Sequence, residues 1–417
     1  MYRLSNTVRD YAWGSHDALA DLLGRVPTGA PEAEMWIGAH PLAPSVAIGP
    51  DGTSTPLDEL LASAPQSLLG AEAAARFGRL PFLAKVLAAA KPLSLQVHPT
   101  LEQARAGYAA EQAAGIAPES PQRNYKDDNH KPEMLYALTG FAALCGFRPV
   151  DEAAKLFEAL AGSLAGDGTG AGEDALEAAR HTAGLLRAGD RRAAFTFLLE
   201  AGDGVVPLVG AAAAAVGTDP ALSADPGLAE LPSLAGHYPG DPGVLVSLML
   251  NHVRLEAGQA MYLPAGNVHA YLHGLGIEIM ASSDNVLRGG LTGKHIDLPE
   301  LLATVDFSDL GVPLCGPEVS ELGQELYRPP FDEFQLQRVA VPSPAEAAAD
   351  LAGGDVPIVQ NGPVALVCIE GELLLDSPRG DLRVARGESV FIGADESPVI
   401  ARPVDGHGAL AFAFTIA

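Results

Sequence analysis

The sequence predicts a mainly β protein with one helical insertion. Three observations lead there. Up to about residue 149, and again after Gly243, short apolar runs alternate with Gly and Pro at intervals suited to strands and turns. Between Val150 and about Ala235 the chain becomes rich in Ala and Leu, with apolar residues three and four apart. The composition, 48% hydrophobic and 19% charged over 417 residues, is that of a folded chain long enough for two or three domains.

Along the chain, Trp36 to Ile48 carries Gly38, Pro41 and Pro44, which break a helix and leave extended pieces. Leu57 to Leu69 has helical leucine spacing, with Thr55 and Pro56 as its start. In the insertion, Asp151 is placed to cap EAAKLFEALAGSL, and EDALEAARHTAGLLRAG and RRAAFTFLLEAG follow, interrupted by the Gly-rich GDGTGAGED. His181 stands alone on a polar face there and reads as solvated. From Gly243, VLVSLMLNHVRLEAGQAMYLPAGNVHAYLHGLGIEIMASSDN reads as short strands suited to a barrel or sandwich. A Pro-rich, acidic stretch from about Leu310 to Asp355 leads to PVALVCIEGELLLDSPRGDLRVARGESVFIG, read as strand, turn, strand, turn, strand. Its rhythm matches the run near residue 250, which suggests two similar small barrels, the second without interior histidines. The expected units are 1–149 with 236–310, a helical unit 150–235, and a C-terminal β unit 311–417.

The net charge of −26 argues against a nucleic-acid binder or a polybasic membrane protein. Only six lysines occur, and five of them (Lys85, Lys91, Lys126, Lys131, Lys294) fall in or beside the segments that carry chemistry below. Three cysteines, Cys145, Cys315 and Cys368, are far apart and in no metal-binding spacing, as in a reducing compartment. The N-terminus lacks a basic flank before an apolar core, and the longest apolar stretches, such as Val205 to Val216, are too short to span a bilayer. A cytoplasmic location without a membrane partner is the expectation.

Three segments carry candidate chemistry. In PLSLQVHP, alternation puts Leu93, Leu95 and Val97 on one face and Ser94, Gln96 and His98 on the other. Burying three polar side chains in a row is costly unless they bind something; a surface-facing strand is the plainer alternative. In NYKDDNHKPEMLYAL, Glu133 sits at the mouth of an apolar strand, preceded by His130 and Lys131. In YLPAGNVHAYLHGLGIEIMASSDNVLRGGLTGKHID, His269 and Tyr271 share one strand face, as do Glu278 and Met280. Asp284, Asn285, Arg288 and Lys294 follow among glycines, where the backbone can approach a ligand and the two cations suit a phosphate or an oxyanion. Pooled, Gln96, His98, Glu133 and His269 suit a divalent transition metal, most simply Zn²⁺, and the two-histidine, one-carboxylate subset equally suits non-haem Fe(II).

The Pro-x-Gly-x-x-His turn resembles the one before a metal-ligand histidine in cupin barrels. LPFLAKVLAAAKPLSLQVHPT, NYKDDNHKPEMLYALTGF, PAGNVHAYLHG and SSDNVLRGGLTGKHID, with YAWGS and EMWIGAHPLAPS, together resemble type I mannose-6-phosphate isomerases in the family's order. The resemblance runs through nearly the whole chain. It implies a cupin-type catalytic barrel plus a C-terminal barrel and a helical domain, one Zn²⁺ per chain, and interconversion of mannose 6-phosphate and fructose 6-phosphate through a cis-enediol. It also implies that Gln96, His98, Glu133 and His269 hold the zinc and that Arg288 is the active-site arginine. Lys131, Glu278 and Asp284 fall on further catalytic positions. Lys294, Ser94, Trp13, Glu34, Lys85 and Tyr271 fall on substrate positions, with Lys294 and Ser94 at the phosphate. Gly293 stands where the family often has proline before the lysine. The base is left open among Glu278, Asp284, Lys131 and a metal-bound hydroxide. The substrate partner is a small sugar phosphate, and a monomer is the simplest expectation. Two rivals stand beside this reading: a metal-dependent cupin oxygenase, and a non-catalytic sugar-binding cupin.

Overall fold

The computed structural model describes residues 1–166, 172–343 and 354–417. It mixes sheets and helices, as the sequence predicts at the coarsest level. Part of GDGTGAGED and the end of the acidic Pro-rich stretch lie outside the described residues.

An eleven-stranded sheet system surrounds the long strand His269–Ala281. The C-terminal half of this strand lies antiparallel between Phe82–Ala89 and Glu133–Ala137, and its N-terminal half pairs with Phe141–Phe147 and Gln96–Val97. The strand reads as short pieces in sequence because Gly274 and Gly276 interrupt it. Gly274 has a φ of +136°, and a Cβ there would lie 2.5 Å from the Phe141 ring, so only glycine lets the strand run on. The register slips between Tyr271 and His273. This irregularity changes the phase of the alternation: odd residues 269 and 271, and then even residues 278 and 280, all face one pocket.

The helical insertion comprises Val150–Gly166, Glu173–Arg187, Arg191–Leu199, Val205–Thr218 and shorter turns ending at Leu231–His237. Asp151 lies inside the first turn rather than capping it, where its charge suits the helix N-terminus, and it bonds Arg187 at 2.9 Å. His181 is exposed, its ring against Phe197. The start of the β region moves: VLVSLM forms Gly243–Val246 and a 3-10 turn, and strand begins at Leu250. These residues are buried throughout, and a short apolar run buried on all sides has no period that separates helix from strand. Leu95, Val97 and Leu287, on the backs of the strands bearing Gln96 and Arg288, share one hydrophobic core with the insertion. Gly290 and Gly243 meet where the insertion touches the Arg288 loop; a Cβ on Gly290 would lie 2.6 Å from the Gly243 Cα.

The C-terminal strands form a nine-stranded sheet and a four-stranded sheet with an apolar core that draws on both. The larger one also takes in the first strand of the chain, Tyr2–Ser5, between Ser389–Ile392 and Val46–Ile48. The final run supplies four strands rather than three, because Gly371 (φ +70°) turns Val364–Glu370 directly into Glu372–Asp376. No described helix is long and apolar enough to cross a membrane.

Candidate active site

A cavity of about 450 Å³ opens on the face of the sheet where the three candidate segments meet. Its walls include Trp13, Glu34, Lys85, Ser94, Gln96, Lys131, Glu133, His269, Tyr271, Glu278, Asp284, Arg288 and Lys294. His98, the remaining candidate, sits buried behind Glu133. All fourteen residues expected from sequence therefore come together around one pocket.

Cross-strand register explains the grouping. Gln96 is the partner of both His269 and Arg288, so the three lie in a row on adjacent strands. Trp36, Lys85 and Glu278 form a second row. Only Gln96–Val97 of the PLSLQVHP segment is ladder-bonded strand; Leu95 and Val97 are buried in the core, whereas Leu93 joins Ser94 on the pocket wall.

His98, Glu133 and His269 bring one ligand atom each to within 4.8 Å of one another. His98 Nε2 is 3.3 Å from one Glu133 oxygen, and His269 Nε2 is 3.5 Å from the other. The Nδ1 atoms face backbone carbonyls, that of Asn285 at 2.7 Å for His98 and that of Asn267 at 3.0 Å for His269. A carbonyl accepts only, so each Nδ1 carries a proton, and each Nε2 faces Glu133. Burial lowers the His98 pKa to about 4, against the opposing pull of Glu133, which keeps the ring neutral near pH 7. His98 Nε2 is buried and makes no hydrogen bond. Two imidazole Nε2 atoms and a carboxylate around one point, with the Lys131 ammonium 3.1 Å from Glu133, are a donor set that a divalent cation satisfies. Burial pushes the Glu133 carboxyl up, yet its polar neighbours, the Lys131 ammonium foremost, hold it well below the usual range.

Beside this group lies a buried charge cluster. Lys85 Nζ is 2.8 Å from Glu278 and 3.4 Å from Glu34, whose other oxygen accepts from the Trp36 indole N–H at 2.7 Å. Burial works against the Lys85 charge, but Glu278, Glu34 and Glu133 outweigh it. Burial raises the Glu278 pKa against the opposing effect of Lys85. The Tyr271 hydroxyl is buried without a hydrogen-bond partner, and burial, then the Glu278 and Glu133 charges, raise its pKa well above normal.

Arg288 and Lys294 differ from the cations above. Among the described residues neither has a carboxylate partner, and the pKa of each is lowered, by burial for Arg288 and by burial and then the Arg288 charge for Lys294. Two uncompensated cations on one wall of a strongly acidic chain make a site for an anion.

Several neighbours were not among the candidate residues read from the sequence. His40 is buried, with Nε2 3.4 Å from Asp284 Oδ2 and its ring edge-on to Trp36. Tyr238 of the insertion lines the pocket, donates its hydroxyl to the Pro92 carbonyl at 2.7 Å, and precedes Asp241, which accepts from Thr292 N–H. Tyr11 stacks on Trp13 at the mouth. None of these follows a ligand spacing; only the folded chain brings them near. His130, adjacent to Lys131, turns away and pairs with Glu333 at 2.6 Å.

A sheet-built pocket with a buried His–Glu–His set beside two free cations defines the class: a metal-dependent enzyme with an anion-binding wall. Comparison with known proteins agrees. Residues 1–150 match the family model "Phosphomannose isomerase type I, catalytic domain". The chain is 39% identical over 417 residues to the mannose-6-phosphate isomerase of Escherichia coli, covering 99% of this chain and 98% of that one. It is 34% identical to the Schizosaccharomyces pombe mannose-6-phosphate isomerase over 95% of each. A solved mannose 6-phosphate isomerase described as holo and zinc bound superposes over 100% of this chain and 99% of that one, with a TM-score of 0.86 and 37% identity. A point mutant of the Salmonella typhimurium phosphomannose isomerase superposes over 100% of both chains with the same score. The chain belongs to the type I mannose-6-phosphate isomerase family.

Proposed function

We propose that this chain is a zinc-dependent aldose–ketose isomerase interconverting mannose 6-phosphate and fructose 6-phosphate. One observation carries the reading: the pocket holds the His98–Glu133–His269 donor set and, on the same wall system, the unpaired cations Arg288 and Lys294. Gln96, the register neighbour of His269, would complete the zinc ligands. When bound, zinc supplies a Lewis acid for the substrate oxygens.

The chain's own residues do the rest. Arg288 and Lys294, with Ser94, hold the phosphate and so fix the sugar's position along the pocket. Lys131 places a cation beside Glu133, where charge develops on O1 or O2 in the enediolate. Two carboxylates are placed to move the proton between C1 and C2: Glu278, whose acid form burial favours, and Asp284, half-buried and outside the lysine cluster. Lys85 and Glu34 hold Glu278 in place, and Trp13 and Tyr271 wall the sugar in.

The domain reading follows: 1–149 with 236–310 as a cupin-type catalytic barrel, 150–235 helical, and 311–417 a second cupin-type barrel. A monomer suffices, since one chain lines the whole pocket. Three free cysteines fit a cytoplasmic setting. An oxygenase could use the same histidines and carboxylate but has no need of Arg288 and Lys294. A metal-loaded sample given mannose 6-phosphate should form fructose 6-phosphate without consuming oxygen. Oxygen uptake without sugar conversion would reject the proposal.

A further inference from the structure

The segment Ser283–Val286 passes between the pocket and the loop 124–130, and it is not part of a ladder. What holds it is the Asn285 side chain, which is fully buried. Its Oδ1 accepts from the backbone N–H of Lys126 at 2.7 Å and of Asp127 at 3.3 Å. Its Nδ2 donates to the carbonyls of Asp127 and Asn129, both at 2.8 Å. Two N–H groups on one side and two carbonyls on the other fix which way round the amide sits and use its full bonding capacity. Ser283 Oγ adds a bond to Asp127 Oδ1 at 2.8 Å and accepts from Asn285 N–H at 3.2 Å. The Asn285 carbonyl, held by this lattice, is the acceptor for His98 Nδ1. The loop it grips runs on through Lys131 to Glu133.

We infer that Asn285 is a positioning residue for the metal site: its side chain fixes the carbonyl that orients His98 and ties that histidine to the strand entry bearing Glu133. The inference rests on the proposed role of His98 as a metal ligand. No other side chain reproduces the arrangement. Aspartate lacks the two donors, alanine lacks everything, and glutamine would push the carbonyl out of line by one methylene. A carbonyl or carboxylate behind a ligand histidine sets its tautomer and direction, and losing such support typically costs 10–100-fold in metal affinity.

The test is metal binding by Asn285→Ala and the milder Ser283→Ala, measured by competition of zinc with a chromophoric chelator. The spectrum of the cobalt-substituted proteins and the thermal midpoints of the metal-free proteins complete it. Zinc affinity should fall 10–100-fold in Asn285→Ala and by less in Ser283→Ala, with a changed cobalt spectrum. Lower thermal midpoints with wild-type affinity and cobalt spectrum would reduce Asn285 to a structural residue and overturn the inference. If Asn285→Ala does not fold, Ser283→Ala decides on the same two readouts. A wild-type protein that binds neither ion would overturn the proposed metal site itself, a distinct result.

Discussion

His98 Nε2 lies 3.3 Å from a Glu133 oxygen, while the proton on the same ring faces away toward the Asn285 carbonyl. Two acceptors face each other in a buried place, an arrangement that costs free energy until a cation joins them. His98→Ala should therefore lose both bound zinc and turnover. Elemental analysis beside the isomerase assay checks this, and full activity in metal-free His98→Ala would remove zinc from the account.

Under the proposed function, Arg288 and Lys294 serve the anion and not the metal. Arg288→Ala should keep its zinc and lose most of its turnover, with kcat/KM down on the order of 100-fold, the equivalent of about 3 kcal/mol. Lys294→Met should raise KM for the sugar phosphate more than it lowers kcat. Unchanged steady-state constants in both variants would place the phosphate elsewhere.

The choice between the two carboxylates is open to direct test. Substrate labelled at C2 with deuterium, followed in Glu278→Gln and Asp284→Asn, identifies the base as the residue whose loss stops exchange with solvent. If both variants exchange label at the wild-type rate, neither carboxylate moves the proton.

Much of this site was legible in the sequence. Most of its residues come from the resemblance of the motif segments to a family. Strand alternation by itself groups His269 with Tyr271, whereas in PLSLQVHP it holds only around Gln96–Val97, since Leu93 joins Ser94 on the pocket wall. The helical insertion showed in its own period. What could not be read depends on contacts between distant segments. The slip between Tyr271 and His273, which turns Glu278 into the same pocket as His269, is a local departure from the alternation itself. His40 and Tyr238 reach the site only by packing. VLVSLM, buried on all sides, has no polar face to reveal its period. Pairing of the first strand with residues near 390 joins opposite ends of the chain, which no local pattern records.

Lys85 is the cation that makes two buried carboxylates tolerable. Lys85→Met leaves Glu34 and Glu278 without it and should destabilise the fold by about 3–5 kcal/mol, read by urea unfolding. A loss below about 1 kcal/mol would show that the pair takes up a proton at little cost.

His252 supplies a pH test away from the pocket. Burial, with help from Arg148, lowers its pKa to about 4, below the unfolded value of 6.5. Above pH 6.5 it is neutral folded and unfolded. As pH falls from 6.5 to 4 the unfolded chain takes up the proton first, so stability falls across that window and the loss levels off below it. His252→Leu should remove this part of the acid sensitivity, roughly 2–3 kcal/mol between pH 7 and pH 4. Parallel stability–pH curves for variant and wild type would contradict it.

On the proposed function, one pocket joins a zinc site to a phosphate site for a single isomerisation. Coupled detection of fructose 6-phosphate from mannose 6-phosphate, before chelation, after it, and with zinc restored, tests it most directly. Turnover should be abolished by chelation and recovered with zinc. Turnover indifferent to chelation in protein shown to be metal-free, or none in folded, zinc-loaded protein, would contradict it.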